Sequence, residues 1–185
     1  MTPPGRIILL NGAGSAGKSA IAKALQAIAR ETWLHVAMDD FLEMLPEHSA
    51  GTPDGLAFET THRDGFPVVE VHSGPAVARL LAGMRAAVAA LARAGNNVVV
   101  DDVMLAGEIA DYRRVLAGLD WNVVGVHAQL AELEARERQR GDRLIGLARA
   151  QHDRVHAGMA YDLDIDTSTA MPLQCAERIK VRFGL

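Results

Sequence analysis

Eight residues near the amino end carry the clearest chemistry: Gly12-Ala13-Gly14-Ser15-Ala16-Gly17-Lys18-Ser19. They match the pattern G-x-x-x-x-G-K-S/T in full, after an apolar run and before an amphipathic one. Gly12, Gly14 and Gly17 free the backbone to take conformations closed to residues with a side chain. Successive N–H groups can then point inward and cradle phosphate oxygens, helped by the positive end of the helix that follows. Lys18 would reach the β- and γ-phosphates, and the Ser19 hydroxyl a magnesium ion. The pattern implies ATP or a similar triphosphate with Mg²⁺. It leaves open whether the γ-phosphate passes to water or to another molecule.

Two acidic pairs, Asp39-Asp40 and Asp101-Asp102, each follow an apolar stretch. In an open parallel sheet, ligands sit beyond the carboxyl ends of the strands, so both pairs are expected at the edge that holds the glycine loop. Asp39, directly after its strand, is expected to be the base that accepts a proton from an attacking hydroxyl. Asp101 is expected on the magnesium side, and Asp40 as the cap of a short helix. Asp102 stays open between a magnesium contact, an acceptor contact and capping. Arg136, Arg140 and Arg143 share a helical face and could close over the phosphates as a lid, with Gly141 as hinge; Glu132, Glu134 and Glu137 interleave with them and could make the same run a salt-bridged surface. Arg140 and Arg143 are the expected catalytic pair and Arg136 a nucleotide contact. Asp166-Thr167-Ser168 reads equally as a border of the adenine site or as a helix cap. His152 and His156 read as an ordinary exposed pair.

The elements that must position these residues alternate. Arg6 to Asn11, Trp33 to Met38, Asn97 to Val100, Asn122 to Val126 and Tyr161 to Asp166 read as strands. Helices are expected from Ser19, over Phe41 to Leu45, Ala76 to Ala94, Glu108 to Leu116, Leu130 to Arg140, Leu144 to His156 and Pro172 to Arg182. This order argues an α/β three-layer sandwich, with a parallel, roughly five-stranded sheet and helices on both faces. Pro46 to Gly74 reads as irregular; a loop that long is more often functional than idle.

The composition narrows the class. With 185 residues, 49% hydrophobic and 23% charged, the chain suits one globular domain rather than a disordered segment. A net charge of −4 provides no general attraction for nucleic acid. No run approaches the roughly 18 apolar residues of a membrane span, and the start reads as strand and loop rather than a leader. The single cysteine, Cys175, rules out an internal disulfide and is expected in the core of the last helix. The cytoplasm is the simplest compartment. The alanine-rich helix could pack on a second subunit or within its own domain.

Together these residues resemble the chloramphenicol phosphotransferase family. The matching segments are Ile7 to Gly12 leading into Ser15 to Ser19, Trp33-Leu34 with Met38-Asp39, Val99 to Val103, Val124 to Val126, Arg140 to Arg143, Val155 to Gly158, Tyr161-Asp162 and Asp166-Thr167. The resemblance implies a P-loop kinase-like fold and ATP-dependent phosphorylation of a hydroxyl of chloramphenicol or a similar small molecule. It places the catalytic base on Asp39, the ATP loop on Gly12 to Ser19 and the lid on about 130–145. Positions 46–74 would be an insertion that builds the acceptor site.

Overall fold

The sequence Ile7-Ile-Leu-Leu-Asn11 (β1) lies at the centre of the sheet and is buried along its whole length. A strand covered on both faces needs no polar alternation, which is why it reads as one continuous apolar run. The computed structural model describes residues 2–105, 107–141 and 144–185. After β1 come α1 (Lys18–Ile28), β2 (Trp33–Ala37), α2 (Met38–Leu42), a 3-10 turn at Glu47–Ser49, β3 (Leu56–Arg63) and β4 (Phe66–Ser73). Then follow α3 (Pro75–Arg93), β5 (Asn97–Asp102), α4 (Ile109–Val115), β6 (Trp121–His127), α5 (Leu130–Arg140), α6 (Leu147–His152), β7 (Leu163–Asp166) and α7 (Pro172–Phe183).

Among the described residues, the main sheet has five parallel strands in the order β2-β5-β1-β6-β7. Its two faces split the apolar residues by parity. Ile8, Leu10 and Val99 pack with Ile21 and Leu25 of α1 and with Cys175 and Ile179 of α7. Ile7, Leu9, Val98 and Val100 pack with Met84 and Val88 of α3 and with Tyr112 of α4. Cys175 is a buried free thiol, raised by its burial.

Three expectations change. Positions 46–74 are not irregular: β3 and β4 form an antiparallel hairpin. Asp64 and Gly65 turn it, with φ of 53° and 80°, the pair of left-handed residues that a two-residue hairpin turn requires. The helix expected over 144–156 is confined to α6. The alanine-rich helix, extending from Pro75 to Arg93, is after all long and apolar enough to cross a membrane by length and composition, with a mean hydropathy of 1.4. It buries Val77, Met84, Val88, Ala89 and Ala92 within this domain; full burial of a Val or Met side chain contributes about 1.5–3 kcal/mol.

Candidate functional site

The glycine loop leaves β1 and enters α1 beneath the carboxyl ends of the strands. A Cβ on Gly12 would stand 2.4 Å from the Val126 carbonyl oxygen, so β1 and β6 can approach only with glycine there. Gly17 has φ of 90° and caps α1 without a side chain, and Ile21 N donates to Gly17 O at 3.0 Å. The N–H groups before that first helical bond have no acceptor within the helix, which suits them to an anion. Lys18 folds back into the loop: Nζ donates to Gly12 O at 2.8 Å and to Ala13 O at 3.0 Å, and lies 3.6 Å from Asp101 Oδ1. Gly14 N donates to Gln151 Oε1 at 2.7 Å, a tie from α6 to the loop.

Asp101 and Asp102 are adjacent but face opposite sides of the sheet. Asp101 faces α1, accepts a hydrogen bond from Ser19 Oγ and has His35 Nε2 3.8 Å from Oδ2. Burial opposes its charge, but His35, the Lys18 ammonium and the Ser19 hydroxyl outweigh burial and hold the carboxyl below the usual carboxylate range. Asp102 faces α3. It accepts from Tyr112 OH at 2.9 Å and from Val103 N at 2.7 Å. Arg85 contributes its charge to the same cluster and pairs with Glu108 at 3.0 Å and Asp111 at 2.9 Å. Burial pushes Asp102 up, against the Tyr112 bond and Arg85. The alternatives left open for Asp102 thus close on a buried anchor for the segment after β5.

β2 ends at Ala37, so Asp39 does not end its strand; it lies half-buried in the first turn of α2, where Ala37 is the cap. Asp40 is therefore a first-turn residue rather than the cap. In the sheet register Ala37 pairs with Asp101, so Asp39 follows at the same edge. The hydroxyl and carboxylate of Ser19 and Asp101 are hard oxygen donors of the kind Mg²⁺ prefers alongside phosphates, so the residues present fit a magnesium–nucleotide complex.

The helical part of the segment expected to be a lid, α5, is braced by side-chain contacts. Arg136 Nη1 donates to Thr167 Oγ1 at 3.1 Å and Nη2 to Thr167 O at 2.7 Å, while Thr167 Oγ1 donates to Ala16 O at 2.9 Å. Thr167 thus links α5 to the glycine loop. The cap of α7 is Met171, so Asp166-Thr167-Ser168 does not cap it. Buried Glu137 accepts from Gly146 N and Ala148 N, both at 2.8 Å, and Glu134 pairs with Arg149. Two of the glutamates that interleave with the arginines therefore tie α5 to α6. Arg140 is exposed at the end of α5; Arg143 lies outside the described residues.

His156 is not an exposed surface residue. Its ring stacks on His127 with centroids 3.9 Å apart, and its Nδ1 is 2.7 Å from Tyr161 OH. Asn11 Nδ2 donates to that oxygen at 2.9 Å and to Val155 O at 2.9 Å. These histidines border a cleft of about 420 Å³ with His152, Gln129 and Asp166, which includes none of Lys18, Ser19 or Asp101. Burial, followed by His127 and His152, pushes the His156 pKa from 6.5 down to about 4. Between those values the folded chain keeps the ring neutral while the unfolded chain takes a proton, so stability held above pH 6.5 falls as the pH drops towards 4. Screening at a half-buried ring limits the expected loss to about 1–2 kcal/mol. Urea melts at a series of pH values should show that loss, and His156→Phe should flatten it; an equally steep decline in the variant would assign the loss elsewhere.

Sequence reasoning missed His35 and Asn11, the tie that Thr167 makes between α5 and the glycine loop, and the two amides that Glu137 accepts from. His35, Thr167 and Asn11 act through partners distant in the chain, and Glu137 through amides at the start of α6. Only the Asp64-Gly65 dipeptide offered an overlooked local signal, for the hairpin.

A model of the chloramphenicol phosphotransferase-like protein family matches residues 5–183. The chain belongs to this family. Two Mycobacterium tuberculosis proteins, of strains CDC 1551 / Oshkosh and ATCC 25618 / H37Rv, each named "Putative O-phosphotransferase", are 36% identical over 177 residues, covering 92% of this chain and 78% of theirs. Among solved structures, the M. tuberculosis APS kinase CysC in complex with AMPPNP and APS aligns with a TM-score of 0.70 at 18% identity, covering 99% of each chain. The Deinococcus radiodurans tunicamycin resistance protein aligns with a TM-score of 0.66 at 20% identity, covering 98% of this chain and 96% of that one. These likenesses show a shared P-loop kinase fold.

Proposed function

We propose that this protein is an ATP-dependent kinase that transfers the γ-phosphoryl group to a hydroxyl of a small molecule, with chloramphenicol or a similar compound as the leading acceptor. The observation that carries this reading is the convergence of Lys18, Ser19 and Asp101 beneath the glycine loop, with Asp39 following Ala37 at the same sheet edge. The family match supports phosphotransfer. In this reading the loop amides and Lys18 hold and neutralise the phosphates, and Ser19 and Asp101 would hold magnesium. Magnesium supplies positive charge over the β- and γ-phosphate oxygens when bound. Asp39 accepts the acceptor's hydroxyl proton as that oxygen attacks. Arg136 and Arg140 on α5 are the arginines proposed to screen the transferring charge, so transfer is chiefly a matter of positioning.

The hairpin is the proposed acceptor wall. Val69 N donates to Gly146 O at 3.0 Å, which seats β4 against the segment after the lid helix. Phe58 and Val71 are direct cross-strand partners and both are exposed. An exposed apolar pair favours an acceptor with an aromatic or apolar portion. The reading places the chain in the cytoplasm.

An acceptor panel tests this proposal. Chloramphenicol, related aromatic alcohols and nucleotide sugars are each mixed with Mg-ATP, and ADP release is compared with the acceptor-free background. At least one acceptor should raise it and gain one phosphoryl group by mass spectrometry. A product confined to nucleotide sugars would move the acceptor class. ADP release without a phosphorylated product from any acceptor would favour a nucleotide-gated binding protein.

A further inference from the structure

We infer that His35 is a positioning residue for the magnesium-side acid, holding the Asp101 carboxylate from β2 while Ser19 and Lys18 hold it from α1. The inference rests on the nucleotide reading above and extends it to a side chain that neither the glycine loop nor the acidic pairs would single out.

Strand geometry places the residue. His35 pairs with Val99 and Ala37 with Asp101 in the β2–β5 register, so His35 and Asp101 share the sheet face that α1 covers. The ring is largely buried, and its Nε2 has no hydrogen-bond partner. A buried ring nitrogen without a partner is costly, and native structures seldom leave one so. The group it faces is Asp101 Oδ2 at 3.8 Å. Closing by roughly 0.8 Å would reach the usual N–H···O separation of about 3.0 Å. Ser19 Oγ also donates to that oxygen and Lys18 lies 3.6 Å from the other carboxylate oxygen, so contacts bear on both oxygens. A hydrogen bond to a metal-ligating carboxylate from a residue outside the ligand set is an established means of orienting it. The arrangement therefore sets the rotamer of Asp101, and with it the affinity of the site for a divalent ion.

The test uses Mn²⁺ as the probe, read by electron paramagnetic resonance, with ADP present, on the full chain. Wild type should bind Mn²⁺ in the presence of ADP. His35→Phe, which keeps the ring volume but removes the nitrogen, should weaken Mn²⁺ binding about tenfold or more and leave the affinity for ADP in chelator unchanged. His35→Gln, which restores a donor, should recover most of the loss. Mn²⁺ affinity unchanged in His35→Phe would overturn the inference while leaving the kinase reading intact. Equal losses of ADP affinity with and without metal would also overturn it, as the mark of a merely structural residue. Failure of the wild type to hold Mn²⁺ with ADP would sink both readings together.

Discussion

Asp39→Asn is expected to lower kcat for acceptor phosphorylation by about 10²–10⁴-fold and to leave ATP binding close to wild type. The substitution keeps the size of the side chain and one acceptor oxygen, but replaces the other with an NH2 donor and removes its ability to take a proton. Asp39 sits in the first turn of α2, beyond a strand whose last residue pairs with Asp101, whereas the groups expected to hold the nucleotide lie on the glycine loop, α1 and β5. On the proposed function, chemistry and binding rest on separate elements, and the variant should separate them: kcat and kcat/KM fall together, the signature of an interaction made only in the transition state. Calorimetry with a non-hydrolysable ATP analogue and a coupled ADP assay with acceptor would measure the two halves. Transfer at the wild-type rate would remove Asp39 from the base role; lost nucleotide binding would make it part of the phosphate site.

Lys18→Ala is expected to cost about 10²–10³-fold in kcat/KM and, unlike the Asp39 change, to weaken nucleotide binding as well. Two losses combine. The ammonium is the cation closest to Asp101 in the loop, so the phosphate charge loses its neutralising partner. It also donates to the Gly12 and Ala13 carbonyls, so the loop loses an internal brace. Lys18→Met keeps most of the aliphatic stem and tests the charge, while thermal melts report the brace. Asp101 gives a second readout: its carboxyl is held low partly by Lys18, so its pKa should rise in either variant, by NMR titration. Normal turnover in Lys18→Ala would count against the loop as the phosphate site.

The amino-acid order settled the features that depend on neighbours in the chain. The glycine loop is local because its backbone conformation and its helix end are set by eight consecutive residues, Gly12 to Ser19. The buried strands β1 and β5 and the long helix α3 follow from apolar runs and a 3.6-residue period, which need no distant partner to be visible. The parallel sheet follows from their alternation. The hairpin could have been read too, from Asp64-Gly65 between two β-prone runs, but the surrounding Pro, Thr and His residues obscured it.

Tertiary structure alone decided the rest, because it depends on which helix covers which face. Two consecutive aspartates look equivalent in a sequence. Strand alternation sends Asp101 towards Ser19 and Lys18 and Asp102 towards Tyr112 and Arg85, so one becomes part of the candidate phosphate site and the other a buried anchor. Glu137 reads as one more charge on a solvated helix until α6 folds back and offers it two amides. His35 acquires a neighbour only through a strand more than sixty positions away. Local pattern is carried by covalent neighbours, whereas desolvation, pairing and pKa are set by whatever packs against a side chain, and that is a property of the folded chain.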